Sequence, residues 1–244
     1  MNSNMALSWL PYAAFGLLAL FILGILFLNK QNKKEGPYVH FSEVKDATDI
    51  IPVRDKKEYF FFPMHKSGLA DSASLLQSYL LKWITDGVIK KEEGKYLLEG
   101  SPVFQSNQER NWFVILNKFP GGVLAMEPDF RKEEEKSIRE NIQGLRSTSI
   151  DYLLKNDYMK KNSSRIMNEE VEHYSYTEKG LEVQKELIRY RNYLSQKKTI
   201  EREEIPWLAL FNLDYKDKEF SHAKIAKGDF EWAKRFSDFY KKVS

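Results

Sequence analysis

Residues 7–28, LSWLPYAAFGLLALFILGILFL, run for 22 positions without a charged side chain, and this stretch restricts the architecture of the chain more than any other. At about 1.5 Å of rise per residue it makes a helix of roughly 33 Å, against a bilayer hydrocarbon core of about 30 Å, so it is expected to cross a membrane once with modest tilt. No Lys or Arg precedes it, whereas Lys30, Lys33 and Lys34 follow it closely. Because cationic residues collect on the cytoplasmic side of a span, residues 1–6 are expected outside and the rest of the chain in the cytoplasm. A cleaved signal peptide would instead carry basic residues ahead of a shorter apolar core and a small-x-small cleavage site, none of which is present. Trp9 and Tyr12 fall where an interfacial aromatic belt belongs, and Pro11 sits in the first turn, where its missing N–H costs little.

Residues 29–37, NKQNKKEGP, have the composition of a linker, and Lys30, Lys33 and Lys34 are placed to rest on an anionic lipid surface. Everything beyond belongs to a folded region, because a chain that is 42% hydrophobic and 30% charged can bury a core. The net charge of +3 is too small to announce a nucleic-acid binder. With no cysteine in the chain, disulfides, thiolate metal sites and cysteine nucleophiles are excluded.

The periodicity that follows predicts an α+β fold, mainly α. Tyr59, Phe60, Phe61 and Phe62, closed by Pro63, read as a short buried strand. From Asp71 or Ser72, either of which can cap a helix, Leu75, Leu76, Tyr79, Leu80, Trp83 and Ile84 recur at three- and four-residue spacing, with Trp83 expected in the core. Asp86-Gly87 stops that helix, Val88-Ile89 reads as a strand, Glu93-Gly94 as a tight turn and Tyr96-Leu97-Leu98 as the returning strand. A further helix is predicted over residues 107–119, ended by Pro120-Gly121-Gly122. A second series then begins. Ile138, Ile142 and Leu145 mark one helix, Thr148 caps a shorter one with Ile150, Leu153 and Leu154, and Tyr158-Met159 and Tyr174 to Tyr176 form a hairpin. Thr177 caps a long helix with Leu181, Ile188 and Leu194, and apolar segments around Trp207 and Trp232 complete the chain.

Helix, turn and hairpin in that order is the pattern of a winged helix, and the two series share letters: Tyr79-Leu80-Leu81-Lys82 ahead of Asp86, and Tyr152-Leu153-Leu154-Lys155 ahead of Asp157. The expectation is therefore one N-terminal transmembrane helix followed by a cytoplasmic domain of tandem winged-helix-like units, at residues 38–128 and 129–244, the second carrying the C-terminal helices.

Little in the sequence points to catalysis. His40, His65, His173 and His222 are scattered, with no pair at i, i+4, and no phosphate-cradling glycine loop or nucleophile elbow occurs. Paired acids such as Glu203-Glu204 and Glu169-Glu170 lie in polar surroundings and read as solvated. No catalytic residue, metal site or cofactor is expected. Lys90, Lys91 and Lys95, on the first hairpin, are the candidate contacts for nucleic acid or a partner. Glu92 and Glu93 stand beside them, and residues 71–86 hold one Lys against two Asp, which weakens the nucleic-acid reading.

Residues 75–98, LLQSYLLKWITDGVIKKEEGKYLL, then Glu109, Thr177-Glu178-Lys179-Gly180 and Arg189-Tyr190-Arg191-Asn192-Tyr193-Leu194 resemble the cytoplasmic half of the bacterial predicted membrane proteins grouped as domain of unknown function 2207. That resemblance implies a membrane-anchored protein without an assigned activity and supplies no catalytic residues. Together these readings predict a single-pass membrane protein whose cytoplasmic part binds another protein, with a membrane-tethered nucleic-acid-binding regulator as the alternative.

Overall fold

The computed structural model describes residues 38–53, 57–125, 132–166, 169–221 and 224–243. The expected span at 7–28 and its flank Lys30, Lys33 and Lys34 lie outside them, and no described helix is long and apolar enough to cross a membrane. The described chain is an α+β mixture dominated by helices, with three two-stranded sheets.

The aromatic run at Tyr59 is helical, not a strand. A 3-10 turn, Lys57–Phe60, leads directly into helix α1, Phe61–Lys66. Pro63 is the third residue of α1, where a backbone N–H has no partner inside the helix, so the ring is accommodated without a break. Phe60, Phe61, Phe62 and Met64 are all buried, and an apolar run covered on every side carries no periodicity by which a sequence could separate helix from strand.

Helix α2, Ser72–Thr85, starts where expected. The Asp71 carboxylate accepts from Ser74 N at 2.8 Å while Asp71 N donates to Ser74 Oγ at 2.9 Å, a reciprocal cap. It ends at Asp86, and Gly87 supplies the left-handed residue, φ 76°, that a helix stop favours. Strands β1, Ile89–Glu92, and β2, Lys95–Leu98, follow in antiparallel register from Ile89 opposite Leu98 to Glu92 opposite Lys95. Glu93 and Gly94 both have positive φ, the geometry of the two-residue turn that matches strand twist.

Helix α3, Asn107–Leu116, stops short of the expected end at Phe119. Helix α4, Lys132–Lys155, is one continuous 24-residue helix where two were expected. Thr148 is therefore an exposed mid-helix residue and not a cap, because Ile138, Leu145, Ser149 and Leu153 form a single buried stripe that nothing interrupts. Ser149 Oγ donates to Tyr59 O at 2.8 Å and accepts from Phe62 N at 3.0 Å, fixing α1 against the C-terminal part of α4.

Strands β3, Met159–Ile166, and β4, Glu169–Tyr176, pair with each other and are longer than the sequence suggested. Residues 160–175 form a compact unit distinct from the rest of the described chain, with Lys161 Nζ 2.6 Å from Glu172 Oε1 and Asn162 Nδ2 donating to Ser175 Oγ at 2.7 Å. Helix α5, Glu178–Gln196, is capped by Thr177, as expected, whose Oγ1 accepts from Gly180 N. Gly180 is obligatory there, since a Cβ would collide with the Tyr158 carbonyl oxygen. Strands β5, Thr199–Ile200, and β6, Glu219–Phe220, pair in parallel, and between them lies helix α6, Ile205–Leu210. Helix α7, Lys227–Val243, closes the chain.

Residues 38–159 and 176–244 make one body. Helix α2 lies at the centre, packed on both α6 and α7. Its Leu75, Leu76, Tyr79, Leu80, Leu81 and Trp83 are buried almost completely, as are Trp207 and Leu208 of α6 and Phe230 and Phe236 of α7.

Candidate functional site

The first hairpin holds its lysines close to its own chain. Lys90 Nζ lies 2.7 Å from Glu99 Oε2, and Lys91 Nζ lies 3.9 Å from Asp229 Oδ1 and over the Tyr96 ring at 5.3 Å. Lys95 is exposed and stands opposite Glu92 in the strand register. The hairpin is also seated on α7, because the Tyr96 ring stacks on Trp232 with centroids 3.8 Å apart and its hydroxyl donates to Asp229 Oδ1 at 2.6 Å. Burial, reinforced by that acceptor, pushes the Tyr96 hydroxyl well above its ordinary pKa. The structure therefore brings Lys90 and Lys91 together with carboxylates, an arrangement that neutralises a phosphate-binding surface.

A groove of about 570 Å³ opens on the same body where the C-terminal end of α2 meets the segment leading into α6. Lys82, Asp86, Arg202 and Trp207 line it. Arg202 reaches Asp86 Oδ1 at 3.0 Å and Thr85 O at 3.3 Å, which ties the end of α2 to the turn before α6. Trp207 is almost fully buried, with Lys57 Nζ 5.6 Å from its ring centre. Ile50 and Val103, 70% and 87% exposed, are neighbours in the chain of Ile51 and Gln105, which face the groove.

Next to the groove is a carboxylate that the sequence reading did not single out as a site. Glu109 is wholly buried, and its two oxygens accept from Lys82 Nζ at 2.8 Å, Trp83 Nε1 at 2.9 Å and Gln105 N at 2.8 Å. Those three donors occupy both oxygens and pin the loop before α3 to α2. The signal was present in the letters Ser106-Asn107-Gln108-Glu109, the spacing of a helix-start acid, and Ser106 Oγ does accept from Glu109 N at 3.0 Å. Glu58 is another buried acid, accepting from the Tyr79 hydroxyl at 2.6 Å. Burial first, then Glu58, push that hydroxyl well above its usual range.

The acid pair Glu203-Glu204 is only half as expected. Glu203 is exposed, but Glu204 is buried, with Lys197 Nζ 2.9 Å from both of its oxygens and Glu201 N donating at 2.8 Å. Glu169-Glu170 starts β4, but their side chains lie outside what is described. His40 takes part in a local turn through Ser42 and His65 stacks on Phe61. Among the described residues no group of three His, Asp or Glu is arranged to hold a metal ion.

No family model, curated protein or solved structure matches this chain.

Proposed function

We propose that the chain is a single-pass membrane protein whose part beyond the linker, residues 38–244, is a cytoplasmic protein-interaction module built on winged-helix-like units. The uncharged run at 7–28 with Lys30, Lys33 and Lys34 behind it supports the anchor and its orientation. The order helix α2, turn, hairpin β1–β2 supports the winged-helix reading, as does the repeat of that order in α4, Asp157 and β3–β4. The resemblance of residues 75–98 and 177–194 to domain of unknown function 2207 points the same way.

The groove beside α2 carries the interaction reading. It joins a mixed-charge lining, Lys82, Asp86 and Arg202, to apolar lining from Ile51, Pro206 and Trp207, and the exposed Val103 has its carbonyl 3.5 Å from Lys82 Nζ, a combination suited to a polar-rimmed protein contact. Nucleic acid fits less well, since Lys90 and Lys91 already face Glu99 and Asp229.

Site-specific photo-crosslinking in membranes tests this. The full chain carrying a photoreactive side chain at Val103 should give a discrete protein adduct, and the same group at Gln143, exposed on α4 and outside the groove, should not. Equal labelling from both positions, or no adduct except to nucleic acid, would overturn the reading.

A further inference from the structure

Arg191 on α5 is an arginine whose described surroundings leave its charge unanswered. It is half-buried, and among the described residues it has neither a hydrogen bond nor an ion pair; the Phe41 ring lies 5.3 Å from its guanidinium carbon. Its neighbour one half-turn earlier is treated differently. Arg189 reaches Asp46 Oδ2 at 2.7 Å and Glu182 Oε1 at 2.8 Å. A guanidinium offers five N–H donors in a planar fork, and burying half of it without an anion forfeits hydration with no return. In keeping with that, burial alone acts on Arg191 and draws its pKa below the ordinary arginine value.

Arg191 faces a cavity of about 440 Å³, a size typical of small-molecule sites. His65 and Lys241 also line it, and the acid in its wall, Asp71, is already engaged by Lys241 Nζ at 2.6 Å and Ser74 N at 2.8 Å. The unmatched charge in the cavity is therefore positive. Phe41, Leu69 and Phe211 supply apolar lining to it.

We propose that this pocket binds a small organic oxyanion, with a carboxylate or phosphate group on the Arg191 guanidinium and an apolar body against Phe41, Leu69 and Phe211. The site is assembled from Arg191 of α5 with Phe41, Leu69 and Phe211 from other segments, and does not depend on the membrane span or on the groove beside α2.

The full-length protein in detergent, titrated calorimetrically with phenyl phosphate, benzoate and benzamide, decides it. One or both anions should bind and the uncharged amide should not, and the tighter of the two anions identifies the head group. Added salt should weaken the binding. Arg191→Gln should weaken it about 10- to 100-fold, the loss expected for charge-assisted hydrogen bonds, while the melting temperature without ligand stays unchanged. Silence from both anions at millimolar concentration, equal binding of benzamide, or wild-type affinity in Arg191→Gln overturns the proposal. Should Arg191→Gln lower the melting temperature, Phe41→Ala and the salt series on the wild type take its place: binding indifferent to both removes the pocket as an anion site.

Discussion

Lys82 and Trp83 are consecutive residues of α2 whose side chains converge on the same Glu109 oxygen. With Gln105 N on the other oxygen, that convergence gives a wholly buried side chain a full set of hydrogen-bond partners in place of water. Trp83 thus has two roles, as a core ring packed edge-on to Phe113 at 5.7 Å and as a donor to a buried carboxyl group. Trp83→Ala should lower unfolding stability by about 3–5 kcal/mol, the range for removing a large buried aromatic, with the upper end favoured by the lost donor. Urea unfolding of the wild type and the variant measures it, and an unchanged midpoint would remove Trp83 from the core. The sequence exposed the ring's burial through its place in a continuous stripe. It did not expose Glu109, because a glutamate at a helix start looks the same whether its head lies in water or beneath a tryptophan.

Among the elements, α2 and α5 were legible because a cap and a stripe agree at both, Asp71 with Leu75 to Trp83 and Thr177 with Ile188 and Leu194. The misread elements are those where one local signal stood alone. Pro63 suggested the end of a strand but occupies a first helical turn, and Thr148 offered a cap that the unbroken stripe of α4 overrides. Arg191 was invisible as a site for a related reason: its neighbours Phe41, His65 and Lys241 come from remote segments, and only the tertiary fold assembles them. The Asp71 cap also has a pH signature. Burial would raise its pKa, but the hydrogen bonds from Lys241 and from Ser74 outweigh that and hold it below the ordinary aspartate value. With the folded value depressed, the contribution is complete above the unfolded pKa and disappears as the pH falls through the folded one. Stability followed by urea between about pH 5 and pH 2 should show this loss. In Asp71→Asn, which keeps a competent cap without the charge, that part of the acid dependence should flatten.

At the scale of the molecule, the order of elements repeats along the chain while the core does not. Helix α2, from the first half of the sequence, is enclosed by α6 and α7 from the last quarter. Neither half could cover its apolar face alone. Residues 38–128 and 129–244, produced separately, should therefore each lack a sharp thermal transition, and mixing them should restore one; a cooperative transition in the first fragment by itself would show that it holds a complete core.

The seat of the first hairpin on α7 gives the protein an optical handle. Tyr96 and Trp232 lie nearly parallel, 13° apart at stacking distance, so their electronic transitions are coupled and held in a fixed chiral arrangement. The near-ultraviolet circular dichroism of the folded chain should carry a band from this pair that vanishes whenever the hairpin lifts, even if every helix remains intact. Docking of the hairpin can thus be followed spectroscopically, separately from unfolding.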